Sequence, residues 1–69
     1  RRRSPPAAQL ERIGVKLMGV LDASGYIPER TRGSQLKKVR RLIRRLALDG
    51  DDAQVVEGML RQILWKLGH

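Results

Sequence analysis

Six cations fall within nine consecutive positions, at Lys37, Lys38, Arg40, Arg41, Arg44 and Arg45, with no acidic residue among them. Four of the six are arginines, whose planar guanidinium offers a rigid fork of donors matched to two phosphate oxygens, as an ammonium does not. The chemistry open to such a run is the holding of a polyanion. Other reactive side chains are few. Asp49, Asp51 and Asp52 form the acidic cluster of the chain; a place at a helix start, where carboxylates oppose the positive helix end, accounts for all three, with magnesium binding the lesser alternative. Ser4, Ser24, Thr31 and Ser34 have no base beside them, and His69 stands at the end next to Gly68. The chain contains no cysteine, which excludes a thiol nucleophile, a disulfide framework and a Cys-based zinc site. No catalytic, cofactor-binding or metal-binding residue is assigned.

The elements that must carry the basic run can be read from apolar spacing. Leu10, Ile13, Leu17, Val20 and Leu21 recur at helical intervals, predicting a helix over about 7–24 that starts near Pro5 and Pro6 and closes with Gly25 at C′. Gly14 and Gly19 lie inside it, either as tolerated weak points or where another helix comes close. Tyr26 and Ile27 are expected to fold back on the end of this helix, and Pro28 to break the chain. Ser34 is the expected N-cap of a second helix, about 35–47. There Leu36, Val39, Leu42, Ile43 and Leu46 share one side, while Lys37, Arg41, Arg44 and Arg45 share the other with Lys38 and Arg40 at its borders. Asp49 is the expected N-cap of a third helix, about 50–67, with a core stripe of Val56, Met59, Leu60, Ile63 and Leu67 and with Val55 at its edge. No strand pattern competes. The expected architecture is all-α: residues 7–68 as a small three-helix bundle of antiparallel neighbouring helices, preceded by a basic linker at 1–6.

Composition narrows the function. The 69 residues carry a formal charge of +8, and the segment 34–48 alone contributes +6. Lys37–Arg41, Arg40–Arg44 and Arg41–Arg45 are like-charge pairs one helical turn apart, each costing a few tenths of a kcal/mol. A face that serves only solubility mixes its signs more often, although a plain solvated face is the simplest alternative. A membrane-surface helix would carry Trp or Phe at its polar border; the second helix has no aromatic residue, and no apolar run is long enough to span a bilayer. Nucleic acid fits better. A solid Lys/Arg band without Asn reads as phosphate contact rather than base reading. Arg1, Arg2 and Arg3 would supplement it.

Trp65 stands apart. It projects away from the expected core stripe of the third helix, on the side of Gln54, Gly58 and Arg61. Aromatic and Arg residues together compose interface anchors, so these four residues are the candidate contact with another domain or a second copy. The alternative is that Trp65 folds over a neighbouring helix end.

Three segments carry a family resemblance, covering about Pro5 to Leu67. They are Ser24-Gly25-Tyr26-Ile27, the run Val39-Arg40-Arg41-Leu42-Ile43-Arg44-Arg45-Leu46-Ala47-Leu48, and Val56-Glu57-Gly58-Met59-Leu60-Arg61-Gln62-Ile63. Linked in this order, they resemble the C-terminal helical domain of RNA 2′-O-ribose methyltransferases of the SpoU/TrmH (SPOUT) superfamily, nearest the TrmJ-like tRNA methyltransferase branch. Val39 and Ile43 stand where that family carries Leu and Phe, and Glu57 stands where it carries Arg. The resemblance implies an accessory domain cut from a larger protein, as does a chain that opens on Arg1. A separate knotted catalytic domain would bind S-adenosylmethionine, form the homodimer and methylate tRNA or rRNA in the cytoplasm. Arg40, Arg41 and Arg44 match the arginines of the family's basic helix, and this chain would contribute RNA binding and packing on its own catalytic domain. The alternatives from residues alone are a structural or dimerisation domain without RNA contact, and a DNA-binding helical domain of a transcriptional regulator.

Overall fold

The computed structural model describes residues 4–68. They form an all-α, three-helix bundle, and among the described residues there is no strand. The helices are α1 (Ala7–Ala23), α2 (Arg32–Leu46) and α3 (Gly50–Lys66), with one 3-10 turn at Glu29–Thr31 before α2. No helix among the described residues is long and apolar enough to cross a membrane.

The helix ends follow local chemistry. Pro6 precedes α1 in an extended conformation, and its carbonyl accepts from the Gln9 and Leu10 amides. α1 closes on Gly25 at φ +80°. The Gly25 amide donates to the Asp22 carbonyl at 3.1 Å and the Tyr26 amide to that of Leu21 at 3.0 Å, the two bonds of a Schellman ending. Ile27 then tucks in, buried, while Tyr26 stays exposed, so only the second of the pair folds back. α3 begins as expected: the Asp49 carboxylate accepts from the Asp52 amide at 2.8 Å, with Asp51 and Asp52 in the first turn.

The start of α2 differs from the sequence expectation. It lies at Arg32 rather than at 35, and Ser34 is inside the helix instead of capping it. The 3-10 turn after Pro28 supplies the reason: the Thr31 amide already donates to the Pro28 carbonyl, so the chain enters α2 from a preformed turn. α2 ends on Ala47 at φ +50°, a left-handed conformation that costs a residue with a Cβ about 1–2 kcal/mol.

α1 is the shared wall of the bundle. α2 and α3 both pack closely on it, whereas no Cα of α2 comes within 8 Å of one of α3. Ion pairs fix the registers. Glu11 pairs with Arg40 and Asp22 with Arg32, so α2 runs antiparallel to α1. Arg12 and Lys16 pair with Glu57, and Gly19 lies against Leu64, so α3 runs parallel to α1. The molecule is accordingly flattened, 40 × 26 × 15 Å. Its core gathers where the loop Ala47–Asp49 brings α2 and α3 to the same end of α1. Ile13 and Ala53 are 0% exposed and Val39 and Ile43 are buried beside them, with Leu10, Leu17, Met18, Leu21, Leu48, Val56 and Leu60 packed around.

The flattening corrects the expected core. Leu42 is 50% exposed, Met59 57% and Ile63 44%, and Leu46, Val55 and Leu67 are exposed as well. In a closed bundle these side chains of α2 and α3 would meet; here α3 comes close to α1 alone. Its inward face is Ala53, Val56, Glu57, Leu60 and Leu64, turned by roughly 60° from the apolar stripe at 3.6 residues per turn. Ala53 and Gly19 permit that rotation, since a Cβ on Gly19 would lie 3.0 Å from Leu64 Cδ2. Gly14 is different: it is buried, yet a Cβ there would meet nothing within 4 Å.

These observations predict opposite outcomes for similar substitutions. Gly14→Ala should stabilise the fold by about 0.5–1 kcal/mol through helix propensity, and Ala47→Gly by about the same through relief of its left-handed φ. Gly19→Val should destabilise it by about 1–3 kcal/mol by pushing Leu64 out. Thermal unfolding followed by circular dichroism checks all three, with shifts of roughly 4–8 °C per kcal/mol for a domain of this size.

Candidate functional site

The basic side of α2 is set by what its other side must do. Val39 and Ile43 are buried against α1, and with 100° between successive residues Lys37, Arg41 and Arg44 project away from that contact. All six cations predicted from the sequence, Lys37, Lys38, Arg40, Arg41, Arg44 and Arg45, are exposed. From Lys37 to Arg45 they extend over about 12 Å of helix axis at 1.5 Å per residue.

Their electrostatic circumstances differ. Arg40 Nη2 donates to Glu11 Oε2 at 2.8 Å, a pairing across helices that the sequence of α2 by itself does not disclose. Among the described residues, Lys37, Lys38, Arg41, Arg44 and Arg45 have no carboxylate partner. Arg40 and Arg44 border a shallow groove between α1 and α2 whose other walls include Leu10, Glu11 and Ile43. Two further cations lie at the opposite end of α2, near its start. Arg32 Nη2 donates to Asp22 Oδ1 at 2.6 Å, and Arg30, in the preceding turn, is exposed. Reading the start of α2 at 35 left Arg32 outside the helix and the turn holding Arg30 unrecognised; the signal for them is Pro28, which pre-sets φ for a tight turn.

Three of the seven carboxylates are spent elsewhere. Glu11 and Asp22 hold the α1–α2 seam, and Glu57 holds the α1–α3 seam. Glu57 Oε2 accepts from Arg12 Nε at 3.0 Å and from Lys16 Nζ at 3.1 Å. These two hydrogen bonds, from Lys16 first and then Arg12, hold the Glu57 carboxyl below the ordinary glutamate value. Its position in the sequence, where the resemblance would place an arginine, therefore has a definite structural use.

The second group of predicted residues also shares one strip. Trp65 is 67% exposed, with Arg61 and Gln54 exposed and Gly58 partly so along the same side of α3. Arg61, Gln62 and Trp65 line a shallow depression, and Lys66 Nζ lies 5.6 Å from the Trp65 ring centroid, a cation–π distance. Nothing in the described structure folds Trp65 over a helix end. Arg1, Arg2 and Arg3, the supplementary contacts, lie outside the described residues, as does His69. Among the described residues no group of three or more His, Asp or Glu side chains is placed to hold a metal ion.

The sequence matches no protein-family profile and no curated protein, and no solved structure matches the chain.

Glu57 generates a prediction with a definite sign. Because its folded pKa is lowered, it contributes stability above the ordinary value of 4.5 and loses that contribution as pH falls through the lowered folded value. Glu57→Gln should be less stable at pH 7 by about 0.5–1 kcal/mol. The gap between the two proteins should close as unfolding is measured at successively lower pH.

Proposed function

We propose that this chain is the RNA-binding accessory domain of an S-adenosylmethionine-dependent 2′-O-ribose methyltransferase acting on tRNA or rRNA, and that the outer side of α2 docks on RNA phosphates. The observation that carries the reading is the separation of charge. Glu11, Asp22 and Glu57 are committed to the helix seams, while Lys37, Lys38, Arg41, Arg44 and Arg45 stand exposed without carboxylate partners among the described residues. Side chains repelling one another a turn apart gain by meeting a polyanion, which supplies the missing counter-charge and releases the ions condensed on it. Arg40 is half-exposed in its pair with Glu11, so it can exchange that partner for a phosphate at little cost.

No aromatic side chain lies on α2 for unstacked bases to stack on, which favours recognition of a folded RNA by backbone and shape. The family half of the proposal rests on the three linked segments that resemble the TrmJ-like branch. In that setting methyl transfer and S-adenosylmethionine binding belong to a separate catalytic domain and its homodimer, and this domain positions the substrate. Trp65, Arg61, Gly58 and Gln54 are then the strip available for packing on the catalytic domain.

Titration of the chain with tRNA at a series of salt concentrations tests the RNA contact. Engagement of four to six phosphates should make log K fall with log salt at a slope of about −3 to −5. Arg41→Glu combined with Arg44→Glu should weaken binding by more than tenfold and alike across RNA sequences, whereas Trp65→Ala should leave it unchanged. A flat salt response sinks the reading. Stronger binding to duplex DNA than to tRNA at matched salt would transfer it to the DNA-binding alternative.

A further inference from the structure

We propose that the open apolar face between α2 and α3 is a dimerisation surface that takes a second copy of this chain. The face consists of the side chains expected to close the bundle. Leu42 and Leu46 on α2 and Met59, Ile63 and Leu67 on α3 are each roughly half exposed.

Their common side follows from the ion pairs. Arg40 and Arg32 reach Glu11 and Asp22 on one side of the layer, and Glu57 reaches Arg12 on that same side. At 100° per residue, Leu42 then projects from α2 to the opposite side, and Met59 and Ile63 project from α3 to that side as well. Leu17 lies at its floor, lining a groove with Leu42 and Val39. Trp65 is excluded from this face by the same arithmetic, since it points toward the Glu57 side of α3.

Two observations select a second copy as the occupant. The first is extent. Five large apolar side chains spread over two helices, Leu42, Leu46, Met59, Ile63 and Leu67, are each 43–57% exposed, and exposed apolar surface of that kind marks interaction sites. A two-fold axis lets one such face cover another.

The second is charge. The chain segment Ala47–Asp49 places the end of α2 and the start of α3 at one end of the layer. The registers set by Arg40–Glu11 and Arg12–Glu57 bring Arg45 and Asp52 to the same level, beside the first turn of α1. A two-fold axis parallel to the helices preserves that level and lays α2 of one copy over α3 of the other. Arg45 of each copy then meets Asp52 of its partner. Both are exposed, and neither has an ion-pair partner among the described residues. The negative end of α2 also lies over the positive end of α3, in both halves of the pair. Lys37, Arg41 and Arg44, on the outer side of α2, stay uncovered for phosphate binding, whereas Arg45 is taken up by pairing.

Sedimentation equilibrium of the 69-residue chain across micromolar to millimolar concentrations tests the proposal. The mass should rise from 7.8 kDa to twice that value. Leu42→Glu and Ile63→Glu, whose side chains are already half in water, should keep the helical circular dichroism and weaken pairing by about tenfold or more. Trp65→Ala should pair as the parent does. Arg45→Asp should weaken pairing, and Arg45→Asp combined with Asp52→Arg should restore it. A mass fixed at 7.8 kDa throughout overturns the proposal. So does pairing abolished by Trp65→Ala and indifferent to Ile63→Glu. Co-sedimentation with phosphatidylserine vesicles without any dimer in solution would assign the face to a lipid surface and overturn it too.

Discussion

Burial of one face of α1 is the interaction on which the rest of this structure depends. Ile13, fully enclosed, is covered from one side by Val39 and Ile43 and from the other by Ala53. Each such side chain removed from water contributes on the order of 1.5–3 kcal/mol. In a domain this small, where stability is a slender difference between large terms, few such contributions can be lost. Because α2 and α3 both lie closer to α1 than to each other, the packing that holds the basic helix in place and the packing that holds the Trp65 helix in place converge on the same few residues.

The distribution of carboxylates follows from that architecture. Two seams, each between α1 and a neighbour, hold the ion pairs. Pairs of this kind are individually weak, but their placement decides where the net charge appears. Every anion drawn into a seam is an anion withheld from the outer side of α2. The cations there therefore act together on whatever approaches, and an electrostatic surface is produced without any acidic residue having to be absent from the chain as a whole.

Much of this was legible in the sequence, for reasons that can be stated residue by residue. Asp49 could be read as an N-cap because its carboxylate answers a local need, the unpaired amide of Asp52. Gly25 could be read as a helix ending because its positive φ is one that side chains resist. The exposed band from Lys37 to Arg45 was readable because six charges cannot be buried together. What escaped was set at a distance along the chain. The start of α2 is displaced by a turn seeded at Pro28. The face that α3 buries is chosen by Gly19, which admits Leu64, and by Glu57, which meets Arg12 and Lys16. The periodicity of Met59, Ile63 and Leu67 names an apolar stripe correctly but is silent on which surface covers it.

The wider spacing between α2 and α3 than between either and α1 also shapes how the molecule comes apart. Detachment of α3 leaves the antiparallel α1–α2 hairpin whole, and detachment of α2 leaves the α1–α3 pair whole. Two partial openings are therefore reachable without global unfolding, each losing one seam. Amide protons should exchange slowest in the middle of α1, around Ile13 and Leu17, which must wait for both neighbours to leave. The outer helices should exchange sooner and independently of each other, so the domain has a kinetic centre on α1, apart from both the basic band of α2 and the Trp65 strip of α3.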